Sequence, residues 1–340
     1  MKLWEIYKGK PFTYWILLLL SGSAMLIAFP ASSLLSRLYF SNGGKSKLII
    51  SWVAVAGWPL TSFALFPTYI FCNKFPTRLN LKVTLSFAVV GFLSAVDNLL
   101  YAYAYAYLPA STATLLTSSS LIFSAFFGYL LVGNRVNAST INSIVMITTA
   151  LTIIALDSDS DLYGNVSKTQ YTIGFMCDIL GSALHGLIFA LSELVFVKLL
   201  GRNSFHVVLE QQVMVSLFAF VFTTLGLVVG RSFQGMEEEA RNFKGGVNSY
   251  CLVLIWSAIT FQIGVFGATT VLFLASTMLA GVLNAVRVPL TSIAAVILLN
   301  DPMSGFKILS LVVTFWGFCS YIYGSRYFQK NVHSQTTNQP

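Results

Sequence analysis

Long apolar runs in this chain carry a few residues that lipid does not tolerate without a partner. Asp97 and Asn98 interrupt "LSAVDNLLYAYAYAYLPAST" (93–112); Asp178, His185 and Glu193 share the stretch 171–199; Arg287 lies near the centre of "LAGVLNAVRVPLTSIAAVILL". A charge at the middle of a bilayer costs roughly 2.5–3.5 kcal/mol on insertion scales, so each must face a partner or a wet cavity. In a helix Asp97, Tyr101 and Tyr105 form one stripe, with Asn98 at its edge, because positions four apart stack on one face. Tyr103 and Tyr107 then point elsewhere, and Tyr107 suits the aromatic belt at a membrane surface. Two readings follow. The tyrosines stack a planar ring while Asp97 and Asn98 bond its nitrogens, or Asp97 simply bonds a neighbouring helix.

The other polar residues extend this chemistry. Desolvation favours the neutral form of a carboxyl group, which makes Glu193 and Asp97 candidate proton carriers. Asp178, nearer a span end, reads as hydrated, and His185 as a helix-packing donor. Asn284, Arg287 and Thr291 share a face, and Pro289 should leave a free carbonyl and a kink near Ala285. Arg287 is expected either to pair with Asp97 or Glu193 or to hold an anionic substrate. Thr117, Ser120 and Phe123 lie on adjoining faces of one span, as cavity wall or as close-packing residues.

These residues have to be positioned by membrane helices. The 340 residues are 56% hydrophobic and 9% charged, against roughly 25% charged in soluble domains. No core of this size hides so much apolar surface, so lipid covers the rest. The net charge of +8 reads as basic loops rather than nucleic-acid binding. Cys72, Cys177, Cys251 and Cys319 have no motif spacing and read as buried thiols. The N-terminus leads into an uncleaved first span.

Ten runs are long enough to cross a bilayer: 13–36, 48–71, 83–107, 110–132, 139–156, 171–199, 205–229, 249–273, 276–299 and 306–326. Backbone in lipid must bond to itself, so these are helices and the fold class is all-α, integral to the membrane. With both termini cytoplasmic, 11 basic residues fall inside and 8 outside, the expected sign. Asn165-Val-Ser167 would then be an outward-facing glycosylation sequon. "YLPASTATLL" (107–116) echoes "FLASTMLAGV" (273–282), aligning Ala110-Ser111-Thr112 with Ala275-Ser276-Thr277. A repeat of five spans inverts its second copy, as in secondary transporters that hold substrate between halves. The expected division is a first five-helix repeat (1–156), an outer loop (157–170), a second repeat (171–327) and a disordered tail (328–340).

"SRLYFSNGGKSK", "DNLLYAYAYAYLPAST", "LVFVKLL…FHVVLEQQV", "WSAITFQIGVFGATTVLF" and "WGFCSYIYG", in that order along almost the whole chain, resemble the plant purine permease family of the drug/metabolite transporter superfamily. The resemblance implies ten helices and proton-coupled uptake of flat nitrogen heterocycles: nucleobases, cytokinins, alkaloids or vitamin B6-like compounds. It implies a plasma-membrane transporter with no enzyme activity and no cofactor, whose partners are a heterocyclic substrate, protons and lipid. Glu193 matches the family's usual glutamate, Glu210 its "VLE", and Gln262 a residue that would address a purine edge. The chain departs from the pattern at Ser120, where a glutamine is common, near Ala190, at Ser292 and at Arg287, all around the expected cavity. The alternative on the same fold is an antiporter of a phosphorylated metabolite gripped by Arg287.

Other chemistries find little support. "NGGKS" (42–46) has Tyr39 where a Walker A loop needs its first glycine. "DSDSD" (157–161) lacks the glycine and terminal glutamate of a calcium loop, and no HExxH, CxxC pair or GxSxG occurs. "MEEEAR" (236–241) reads as a solvated outer helix. A channel or receptor would need a polar pore ring that the spans do not offer.

Overall fold

The structure, a computed structural model, describes residues 12–72, 76, 80–133, 138–156, 166–195, 199–200, 205–274 and 277–337, some of them (among others 277–282, 284–285 and 324–337) by backbone alone. Every regular element among the described residues is helical. We number the helices α1 (Phe12–Ser41), α2 (Lys47–Ala56), α3 (Trp58–Cys72), α4 (Leu81–Tyr107), α5 (Ala110–Thr117), α6 (Ser120–Phe127), α7 (Ala138–Leu156), α8 (Lys168–Val195), α9 (Phe205–Val229), α10 (Met236–Asn242), α11 (Gly246–Leu274), α12 (Thr277–Leu299) and α13 (Gly305–Thr337).

Among the described residues eight helical stretches are long and apolar enough to cross a membrane, and Val286–Leu299 and Gly305–Ser320 are shorter apolar ones. Leu19, Ile27, Leu81, Leu156 and Val229 are exposed on the outside, whereas Ser111, Ser143, Ser182, Thr270 and Ser310 are fully buried. This apolar exterior over a core rich in small hydroxyls marks an integral, multi-pass membrane protein. Helix association in lipid relies on close packing and shared hydrogen bonds rather than on hiding grease. Several core hydroxyls bond the carbonyl one turn back, as Ser143 does to Ser139 and Thr270 to Phe266. Cys251 and Cys319 are exposed rather than buried, and Cys177 is half-buried; a free thiol is apolar enough to face lipid.

The most extensive contacts join the early part of the chain to the late part: α1 lies along α11, α4 along α8 and α9, and α7 along α13. Glycines set these approaches. A Cβ on Gly267 would come within 2.7 Å of the Ser21 carbonyl, and one on Gly91 within 2.5 Å of Phe218.

Two expected spans are interrupted. The run 48–71 divides at Gly57, where a Cβ would meet the Ala258 carbonyl at 2.6 Å; Pro59 just beyond it has no N–H to give. The run 110–132 divides at Ser118 and Ser119 into α5 and α6, followed by a wide π turn over Gly128–Val132. α12, where sequence predicts a kink and a free carbonyl near Ala285, is one helix that contains Pro289. Thr291 donates to the Arg287 carbonyl one turn back at 2.8 Å. α13 continues as helix to Thr337, across much of the segment that composition reads as a tail.

At one end of the bundle the short helix α10 caps the helices. Its Glu239 accepts hydrogen bonds from Tyr39 and, at 3.2 Å, from Tyr250, while Glu237 and Arg241 form an exposed i,i+4 pair. The expected outer helix is present, yet it also closes an aromatic box of Tyr39, Phe243 and Tyr250. Ser46, from the discarded Walker-like run, caps α2 by accepting from the Ile49 N–H.

Candidate functional site

α4 and α8 run antiparallel, and small residues on α8 bring them close. A Cβ on Gly181 would lie 3.4 Å from Leu100, and one on Gly174 would be only 2.9 Å from Tyr107. This register sets two stripes face to face: Asp97, Tyr101 and Tyr105 on α4, and Asp178, Ser182 and His185 on α8.

Asp97 is buried and its Oδ2 lies 3.0 Å from His185 Nδ1; its Oδ1 has no partner. The imidazole also stacks edge-on against Tyr101 and Phe189. Tyr101 Oη is 3.4 Å from Ser182 Oγ. Asp178 is completely buried rather than hydrated; Thr117 Oγ1 lies 3.3 Å from its Oδ1, and its Oδ2 is unpartnered. The sequence missed it because distance from a span end says nothing about which face a residue occupies. His185 does pack between helices as expected, but against a carboxylate, and only the register of α4 on α8 reveals that.

The tyrosine stripe divides as helical spacing predicts. Tyr103 and Tyr107 lie together, 6.3 Å between ring centroids, beneath the Lys47 ammonium at 5.8 and 5.2 Å. Tyr101 and Tyr105 turn to the other side. Arg37 donates to the Tyr105 carbonyl at 3.1 Å, satisfying the end of α4. Across from these tyrosines Arg287 sits 5.0 Å over the Phe29 ring, and Phe29 meets Phe261 edge-on. Among the described residues Arg287 forms no ion pair with Asp97 or Glu193, so the expected internal pairing is absent; Asp97 is turned to His185 in the α4–α8 seam. Tyr101, Tyr105 and Arg287 are half-buried.

The remaining expected residues are less concentrated. Asn98 donates back to the Ser94 carbonyl at 2.9 Å. Ser120 is buried at the start of α6, and the Phe123 backbone presses on Gly186, where a Cβ would stand 2.7 Å away. Gln262 is fully buried; its Nε2 donates to the Ala54 carbonyl at the Gly57 break, while Oε1 lacks a partner. Glu193 is half-buried and lies about 12 Å beyond His185 along α8, two turns away. Glu210 is buried and accepts from Tyr69, tying α9 to α3. The Asn284 side chain, Asn165 and the Ala275-Ser276 half of the repeat echo lie outside the described residues. Among the described residues no cluster of His, Cys, Asp or Glu could hold a metal.

A membrane helical bundle with aromatic and ionisable groups gathered between its helices is an arrangement found in transporters. Comparisons narrow the class. A family profile described as purine nucleobase transmembrane transport matches residues 16–331. The chain is 74% identical over 321 residues to probable purine permease 5 of Arabidopsis thaliana, covering 94% of this chain and 89% of that one. It is 32% identical over 299 residues to purine permease 3 of the same plant, covering 86% and 85%. One solved crystal structure superposes with a TM-score of 0.54 at 17% identity, over 90% of this chain and 98% of the other, a likeness of fold alone. The chain belongs to the purine permease family and is a transporter, not an enzyme.

Proposed function

We propose that the protein is a secondary transporter that imports purine-type or related planar nitrogen heterocycles across the plasma membrane by alternating access, driven by protons. The observation that carries this reading is the facing of Tyr101, Tyr105, Phe29 and Arg287 beside Asp97 and His185. Tyrosine faces suit a flat ring, and the free Asp97 Oδ1 can accept from a ring N–H. Asn98, Thr117, Ser120, Phe123, Gln262 and Asn284 stand as further wall residues, and Asp97 and Glu193 as proton carriers.

The architecture we propose is ten spans in two inverted repeats, α1–α7 and α8–α13. The packing supports it. If α1 corresponds to α8, α4 to α11, α5–α6 to α12 and α7 to α13, then α1 on α11 mirrors α8 on α4. Likewise α12 on α1 mirrors α6 on α8, and α7 pairs with its own counterpart α13. Such mirrored pairing is what rocking of two bundles about a shared site requires.

The test is uptake of labelled adenine into proteoliposomes, with and without an acid-outside gradient. Gradient-driven accumulation abolished by a protonophore is expected; uptake indifferent to both would overturn the coupling. A second reading, exchange of a phosphorylated compound, is favoured by one feature, the lack of an ion pair to Arg287. Inhibition by purine nucleotides but not by free bases would select it.

A further inference from the structure

The hydroxyl of Thr117 has one hydrogen and two claimants. Its Oγ1 is 2.8 Å from the Ala113 carbonyl, the usual one-turn-back bond, and 3.3 Å from Asp178 Oδ1. The shorter contact takes the hydrogen. The longer one is then two oxygens facing each other, which repel unless a hydrogen stands between them, and only Asp178 is left to supply it. Its surroundings agree. Asp178 is fully buried, its Oδ2 touches no donor, and no ion pair to it forms among the described residues. The ionisable groups acting on it are Asp97, Tyr101 and Tyr105 from α4 and Cys177 on its own helix, none of them a cation. His185, the one basic group on this seam, is committed to Asp97. A bare carboxylate there would be desolvated with nothing to balance it.

We propose that Asp178 is a buried, un-ionised carboxylic acid that donates to Thr117, and that loss of its proton unlocks the α5–α6 break. Thr117 is the last residue of α5, immediately before the Ser118-Ser119 interruption. When Asp178 releases its proton to water, the new carboxylate needs the Thr117 hydrogen. Thr117 must then leave the Ala113 carbonyl, which keeps only its backbone bond, and the local bend that such back-bonding gives the end of α5 is released. Reprotonation restores the bond. Broken helices are where transporters shift between states, so the proton is read at a mechanically weak point. The consequence for transport rests on the proton-coupled reading above; the protonation state does not.

Infrared spectroscopy of the purified protein at neutral pH tests it, because an un-ionised carboxylic acid has a carbonyl stretch distinct from the carboxylate bands. The wild type should show this band. Asp178→Asn should lose it, and Thr117→Val should shift it by removing the hydrogen-bond acceptor. A band intact in Asp178→Asn or unshifted in Thr117→Val overturns the assignment, and the nearly isosteric Thr117→Val decides it if Asp178→Asn does not fold. In proteoliposomes Asp178→Asn should lose accumulation of labelled adenine under an acid-outside gradient; wild-type accumulation would overturn its role in coupling. If the wild type shows the band but its uptake ignores the gradient, the coupled function fails while the Asp178 assignment stands.

Discussion

Tyr101 is the residue through which the site is most directly tested. It touches Ser182 by its hydroxyl and His185 by its ring, and it stands beside both buried aspartates. Aromatic stacking contributes about 0.5–1.5 kcal/mol beyond burial. Tyr101→Ala should therefore raise the half-saturating concentration for adenine about tenfold, equivalent to ~1.4 kcal/mol. Tyr101→Phe should change it little, because the 3.4 Å contact to Ser182 is long; equal losses in both variants would mean that the hydroxyl, not the ring, does the binding. The stripe of Asp97, Tyr101 and Tyr105 was legible in the sequence because helical spacing alone places residues four apart on one face. The partners were not. His185 and Asp178 acquire their meaning from the register between two helices, which no single span encodes. Arg287 showed the same limit: mid-membrane position predicted an acidic partner or an anionic substrate, and the fold supplied an aromatic ring.

At the level of elements, close approach depends on a few positions without a side chain. Gly186 faces the backbone of Phe123 and Ser124, where an added Cβ would stand at 2.7 Å. Backbone cannot swing aside as a flexible side chain can. Gly186→Ala should push α6 from α8 and destabilise the protein by about 1–3 kcal/mol, read as a lowered melting temperature in detergent. An unchanged melting temperature would mean that α6 is free to move. Span positions were readable from hydropathy because the bilayer imposes length and apolarity together. The interruptions were not. Pro289 lies inside one continuous helix, whereas the unremarkable Ser118-Ser119 pair ends one. Propensity marks where a helix is weak, and packing decides where it gives way.

On the scale of the whole molecule, residues 12–156 and 166–337 are not two neighbouring bodies. α1 with α11, α4 with α8 and α7 with α13 all cross between them. A chain divided between Leu156 and Val166 should regain adenine uptake when both pieces are made together and show none from either piece alone. Activity from one piece would contradict the interleaving. The same interleaving has a consequence during synthesis. α1 ends at Ser41 and its main companion α11 begins only at Gly246, so at about 5–20 residues per second the first helix waits roughly ten to forty seconds for it. Through that interval the serines of α1, Ser21 and Ser32 among them, stand in a half-finished bundle, and an insertase or chaperone must shelter them until the ribosome delivers the other helix of the seam.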